Sequence, residues 1–183
     1  MSHILTSRPH RILAGLIALA CAFGLMLHAS PAADAMTTTE KKAYMQALAA
    51  QEKLSYDVLS DLAALHDSSF LELMAEAEQR DLERVREMLR IHGWKDRTAG
   101  DEPGDFRNYP LIEQTYFDMI VDGQGSVADS SRVGIALQQM SLGFIYELLS
   151  TKLTKYDRKQ LTYTKSYATN RLIAFRAKVD ALS

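Results

Sequence analysis

Glu78 and Asp81 stand three residues apart in the stretch EAEQRDLERV, and the same helical face carries Met74, Val85 and Met88. Residues three and four apart share a helix face, so this spacing turns two carboxyl groups toward an apolar side. Charged side chains are almost never fully buried unless they are paired or hold a metal ion. Three other segments repeat the pattern. Gln51 and Glu52 lie where an apolar stripe passes, Gln138 and Gln139 fall between Val133 and Met140, and Asn170 and Arg171 fall between Ala168 and Phe175.

The elements that must position these groups are helical. Met45, Leu48, Glu52, Ser55, Leu59 and Leu62 recur at steps of three and four, which predicts a first long helix over about 39–65. The HDSS turn at 66–69 ends it, with His66 expected in solvent. Ser69 and Glu72 read as a capping box for a second helix that runs to 91 and stops at Gly93. The stretch WKDRTAGDEPGDFRNYP, rich in Gly, Asp and Pro, is a loop. Pro110 opens a short helix that Gly123 closes. Ser126 and Asp129 cap a third long helix, about 127–151. A fourth spans about 156–181, with Leu161, Thr164, Ala168, Arg171, Phe175 and Val179 on one face. No segment alternates with a period of two, so no sheet is expected. Two helices joined by a tight turn, then a long connection, then two more have the connectivity of a ferritin-like four-helix bundle, with a long crossover carrying one short extra helix.

Of the 183 residues, the first 35 differ in kind. Arg8 and Arg11 precede the apolar run 12–27, and Ala33 and Ala35 form an Ala-x-Ala ending. This is the pattern of a secretory signal peptide, with cleavage expected after Ala35. The run is shorter than the roughly 20 apolar residues of a usual membrane span. An uncleaved anchor is the competing reading, and a lipoprotein signal through Cys21 is weaker, because the apolar run continues past the cysteine. Residues 36–183 then form the domain, exported to the periplasm or secreted. Removing Arg8, Arg11 and Asp34 from 21 basic and 23 acidic residues leaves 19 and 22. That balance argues against nucleic acid as a partner. The domain has no cysteine, so disulfide and thiolate chemistry are excluded, and only His66 and His92 remain as imidazoles.

The stretches QEKLSYDVL, AEQRDLERV, RVGIALQQM and NRLIAF, in that order, resemble the ferritin-like family called domain of unknown function 2202. The segment RNYPLIEQTYFDMIVDGQGS resembles its link into the third long helix. The resemblance covers roughly residues 43–178. It implies a dinuclear metal site in the bundle, and the departures fall where metal would bind. The family pattern has a Glu pair where this chain has Gln51 and Glu52, and a His three after its Glu where this chain has Asp81 after Glu78. It has a second Glu pair at Gln138 and Gln139, and a His at Arg171. The set Glu52, Glu78, Asp81, Gln138, Gln139 and Arg171 is therefore read as a vestigial site, with no resident metal and no cofactor. A guanidinium stays protonated and cannot act as a ligand. Its planar fork suits carboxylates, so Arg171 is expected to face Glu78 and Asp81, and Glu52 with them; the alternative reading has Arg171 reaching the bundle surface and the acids solvated.

Two functional readings follow. The first is a non-catalytic structural or binding module of the cell envelope, with self-association or an unidentified protein as partner. The competing reading is a di-iron or manganese oxidoreductase on Glu52, Glu78 and Asp81. A third class, a helical partner-binding module, would show an exposed apolar groove around residues 109–121. Met45, Met74, Met88 and Met140 fit core packing better than a copper cluster. His92 beside Gly93 reads as a helix cap. Tyr146, Tyr156, Tyr163 and Tyr167 are expected to pack with hydroxyls at the rim.

Overall fold

The structure, a computed structural model, describes residues 36–183, and the expected signal peptide lies outside the described residues. Helix α1 (Thr38–His66) opens on a capping box. The Thr37 hydroxyl accepts from the Glu40 amide at 3.2 Å, and the Glu40 carboxylate accepts from the Thr37 amide at 2.7 Å. Asp67 ends α1 in the left-handed conformation, at φ 49°. That leaves Ser68 extended and makes it, rather than Ser69, the cap of α2 (Ser69–Ile91), through its hydroxyl and the Leu71 amide. The expected Ser69–Glu72 box does not form: the cap lies one residue earlier, and Leu71 has no side-chain acceptor to complete a box. Helix α2 ends at His92, and Gly93 takes φ 67°, which a residue without a Cβ adopts freely. Pro110 starts α3 (Pro110–Gly123). Ser126 and Asp129 cap α4 (Val127–Leu149), as their spacing predicts, and Thr154 caps α5 (Lys155–Leu182). Among the described residues there is no strand, and no helix is long and apolar enough to cross a membrane.

Helix α1 packs on α2 and α4, and α5 packs on α4 and α2, so the four long helices form a square. Two apolar clusters show their directions. One joins the second half of α1 (Leu54, Val58, Leu59, Leu62) to the start of α2 (Leu71, Ala75), the start of α4 (Val133, Leu137) and the end of α5 (Phe175). The other joins the start of α1 (Met45, Leu48) to the end of α2 (Val85, Met88, Leu89), the end of α4 (Ile145, Leu148) and the start of α5 (Leu161). The order is therefore up, down, down, up. Since α2 and α4 run the same way, the chain between them must return along the whole bundle, and the long crossover does this. The sequence reading of an all-α four-helix bundle with a short extra helix in the crossover describes the observed architecture.

The crossover is fastened along the back of α1. Gln46, Lys53, Asp57 and Asp61 recur at steps of seven, four and four, so they lie on one face of α1. The Gln46 amide donates to the Lys95 carbonyl at 2.6 Å. The Lys53 ammonium donates to Asp57 at 2.5 Å and to the Glu102 carbonyl at 2.9 Å, and lies 4.4 Å from the centre of the Phe106 ring. The Gly104 amide donates to Asp57 at 2.9 Å, and the Tyr116 hydroxyl donates to Asp61. Phe106 is fully buried in the first apolar cluster. At the far end, the His66 Nε2 lies 3.0 Å from the Gly123 carbonyl. His66 is therefore half-buried and engaged, not solvated as its turn position suggested.

Gly134 lets α4 and α5 approach closely. A Cβ there would stand 2.4 Å from the Phe175 ring, which is itself fully buried and has no room to turn away.

Candidate functional site

Between the two apolar clusters lies a layer of buried polar side chains, one group from each long helix. It comprises Gln51 and Glu52 from α1, Glu78 and Asp81 from α2, Gln138 and Ser141 from α4, and Arg171 from α5. Arg171 occupies the middle with 5% of its surface exposed. Its Nε lies 2.8 Å from Glu78 Oε1 and donates to Gln138 Oε1 at 3.0 Å. Its Nη2 donates to Asp81 Oδ2 at 2.6 Å and to Glu78 Oε2 at 3.2 Å. The Gln138 amide donates to Glu78 Oε1 at 2.6 Å, so it both accepts from the guanidinium and supports its counter-ion. Arg84, three residues after Asp81 and one helix turn nearer solvent, donates to the other Asp81 oxygen.

The sequence brought most of this set to one place. Glu52, Glu78, Asp81, Gln138 and Arg171 converge. Gln139 does not: it is exposed, because adjacent helical residues point about 100° apart and only one of the pair can face inward. Asn170 is exposed for the same reason. Gln51 is buried and donates to Ser55 at 3.4 Å, away from the guanidinium. Arg84 is the participant that sequence reasoning missed. Its signal was the three-residue spacing to Asp81.

Electrostatics divide the three carboxyl groups. Burial holds the Glu78 and Asp81 carboxyls above their ordinary values, and the Arg171 charge offsets only part of that rise. Glu52 is held well above the usual carboxylate range, first by burial and then by the charges of Glu78 and Asp81. Burial pushes Arg171 toward its neutral form, but Glu78, Asp81 and Glu52 outweigh it, and its proton is held more tightly than in water.

One oxygen from each of Glu52, Glu78 and Asp81 lies within 4.8 Å of the other two, which is close enough to surround an ion. The donor set nevertheless does not fit the dinuclear metal that the family resemblance implies. It contains no imidazole, and Gln138 replaces a carboxylate by a neutral amide. The oxygens of Glu78 and Asp81 are already taken by two guanidinium groups and an amide. A fixed cation at the centre also opposes entry of a second cation by direct repulsion.

Elsewhere, Met45 and Met88 belong to one apolar cluster, while Met74 and Met140 pack against the other, so the four do not gather. His92 caps α2 and reaches Asp157 at 2.9 Å, stacked on Trp94. Tyr146, Tyr156, Tyr163 and Tyr167 are exposed. Lys165 covers the Tyr146 ring and Arg84 the Tyr167 ring. On α3, Leu111, Phe117 and Val121 are each more than half exposed.

Comparison with known proteins agrees with the fold. A hypothetical protein from Methanococcus jannaschii DSM 2661, known from its crystal structure, superposes with a TM-score of 0.73 over 85% of this chain and 87% of its own, at 21% sequence identity. That likeness is one of fold. No curated protein matches the chain. The family model described as an uncharacterized protein domain, DUF2202, matches residues 41–166, which include every helix of the polar layer up to the start of α5. With more than half its length inside that match, the chain belongs to the DUF2202 family.

Proposed function

We propose that this protein is an exported, ferritin-like bundle module of the periplasm or cell envelope, and that its work is structural or binding rather than catalytic. Its polar centre is an internal ion-pair cluster that takes the place of a dinuclear metal site. The observation that carries this reading is the Arg171 guanidinium, buried between Glu78 and Asp81 and held by both. Redox chemistry on a carboxylate-bound metal pair needs free carboxylate oxygens and open coordination positions. A cluster whose oxygens already accept from guanidinium groups offers neither. Export rests on the charged start, apolar run and Ala-x-Ala ending of residues 1–35.

Two measurements test the two halves of the proposal. After purification and incubation in turn with iron, manganese, zinc and copper, elemental mass spectrometry is expected to find metal well below one ion per chain. Near-stoichiometric metal that disappears in Glu78→Ala would overturn the reading in favour of an oxidoreductase built on Glu52, Glu78 and Asp81. Intact mass of the protein recovered from the exported fraction is expected to begin at Met36. A chain retained in the cytosol at full length would remove the envelope assignment.

A further inference from the structure

We propose that the centre of the bundle binds one exchangeable proton at neutral pH, held between the Glu52 and Glu78 carboxyl groups. The proposal rests on the ion-pair reading of the site and states what completes it. The groups that face Glu52 are few. From α2 come Glu78 and Asp81, with Arg84 behind Asp81. Arg171 comes from α5, and Gln138, which carries no charge, from α4. The donors with partners in this layer serve other acceptors: Arg171 Nε and Nη2 serve Gln138, Glu78 and Asp81, Arg84 serves Asp81, the Gln138 amide serves Glu78, and the Gln51 amide serves Ser55, while the buried Ser141 hydroxyl has no partner at all. Both oxygens of Glu52 are fully buried and receive no donor from any of them.

An ionised carboxylate in that position would be stripped of water and unpaired, which costs far more than protonation does. Charge counting gives the same answer. Two guanidinium groups balance the carboxylates of Glu78 and Asp81, and a third negative charge has no counterpart. Two carboxyl groups in contact do not both ionise. As an acid, Glu52 becomes a donor, and Glu78, with an oxygen within 4.8 Å of one of its own, is the carboxylate it serves. The direction of that bond follows from the neighbours: Glu78 is the ionised member because Arg171 and Gln138 both donate to it. One proton thus gives an otherwise orphaned side chain a partner and brings the cluster to neutrality.

The sign of the pH dependence is fixed by where the proton is held. In the unfolded chain Glu52 has the ordinary carboxyl affinity and loses its proton near pH 4.5. In the folded chain it keeps the proton to higher pH. Between those two limits the folded state binds more protons, so stability falls as pH rises, and below the lower limit the contribution is constant.

Infrared spectroscopy of the purified protein tests this. At about pH 7, where free carboxyl groups are ionised, the wild-type protein is expected to show the carbonyl band of a protonated, buried carboxylic acid. The band should be lost in Glu52→Gln, whose amide can still donate to Glu78, and shifted in Glu52→Asp. The Tm of the wild type should also fall relative to that of Glu52→Gln as pH rises above the ordinary carboxyl value of 4.5. A wild-type spectrum without the acid band, or a band that survives Glu52→Gln, would overturn the proposal, and the wild-type spectrum alone decides it if the variants fail to fold. The two readings fail separately. A missing acid band with a Tm that still depends on Arg171 removes only the proton, whereas an Arg171→Met variant of unchanged Tm removes the ion-pair cluster itself.

Discussion

Arg171→Met is expected to destabilise the protein by about 3–5 kcal/mol, the range for breaking a buried ion pair on one side. Methionine has a similar reach and packs well among apolar neighbours, so the loss of volume is small. The damage comes from what remains. Asp81 keeps Arg84, but Glu78 loses its only cation and retains only neutral donors, the Gln138 amide and the proposed Glu52 acid. Urea unfolding followed by circular dichroism gives the reading: a lower midpoint with an unchanged slope. Arg171→Lys should recover little, because an ammonium is a point charge and cannot serve Glu78, Asp81 and Gln138 from one planar fork. Removing Arg171 together with both of its counter-ions, as Arg171→Met with Glu78→Leu and Asp81→Leu, should recover most of the stability, since apolar replacements of buried ion pairs are often neutral or better. An unchanged midpoint in Arg171→Met would sink the ion-pair reading.

Phe106→Ala is expected to cost about 3–5 kcal/mol as well, the usual range for emptying a buried aromatic site, and to do something that core truncations elsewhere would not. Phe106 belongs to the crossover, yet it is fully buried in the apolar cluster that α1, α2, α4 and α5 share. It also roofs Lys53, whose ammonium holds Asp57 and the Glu102 carbonyl. Without the ring, a buried lysine loses one of its three contacts and the loop loses its anchor. Limited proteolysis under native conditions should then cut first within residues 93–109, while a truncation such as Leu48→Ala lowers global stability without exposing that segment. Identical cleavage patterns for the two variants would show that Phe106 is ordinary core.

The four-helix architecture was legible in the sequence because inward positions recur at steps of three and four along the long helices and the loop after Gly93 is too long for an up-and-down bundle. The centre of the site was legible for a related reason. Polar residues interrupted the apolar stripe of every long helix at matching depth, and Arg171 was the only cation among them. What could not be read is what depends on neighbours in space. Gln138 and Gln139 are alike in type and adjacent, and only packing decides which one enters. The Lys53 and Asp57 pair shows a four-residue spacing that usually means a solvated helix face. It is buried here because the crossover lies over it, and no residue of α1 announces that path. The cap moved from Ser69 to Ser68 because Asp67 adopts a left-handed turn, a choice that either serine would have allowed.

The position of the polar layer, with an apolar cluster on each side, restricts how the helices can slide past one another. Aliphatic side chains are forgiving: a helix that advances by one turn, about 5.4 Å, often finds another acceptable set of contacts. Here the same movement of α5 would bring Ala168 or Phe175 to the level of Glu78 and Asp81, and would carry the Arg171 charge in among Leu, Met and Phe side chains. Both carboxylates would be stranded at once. The cluster therefore acts less as a source of stability than as a gauge mark, fixing the axial alignment of α5 against α2. In the apolar triple variant the mark is erased. A bundle of ordinary stability whose amide NMR resonances are broadened along α5 would be its signature.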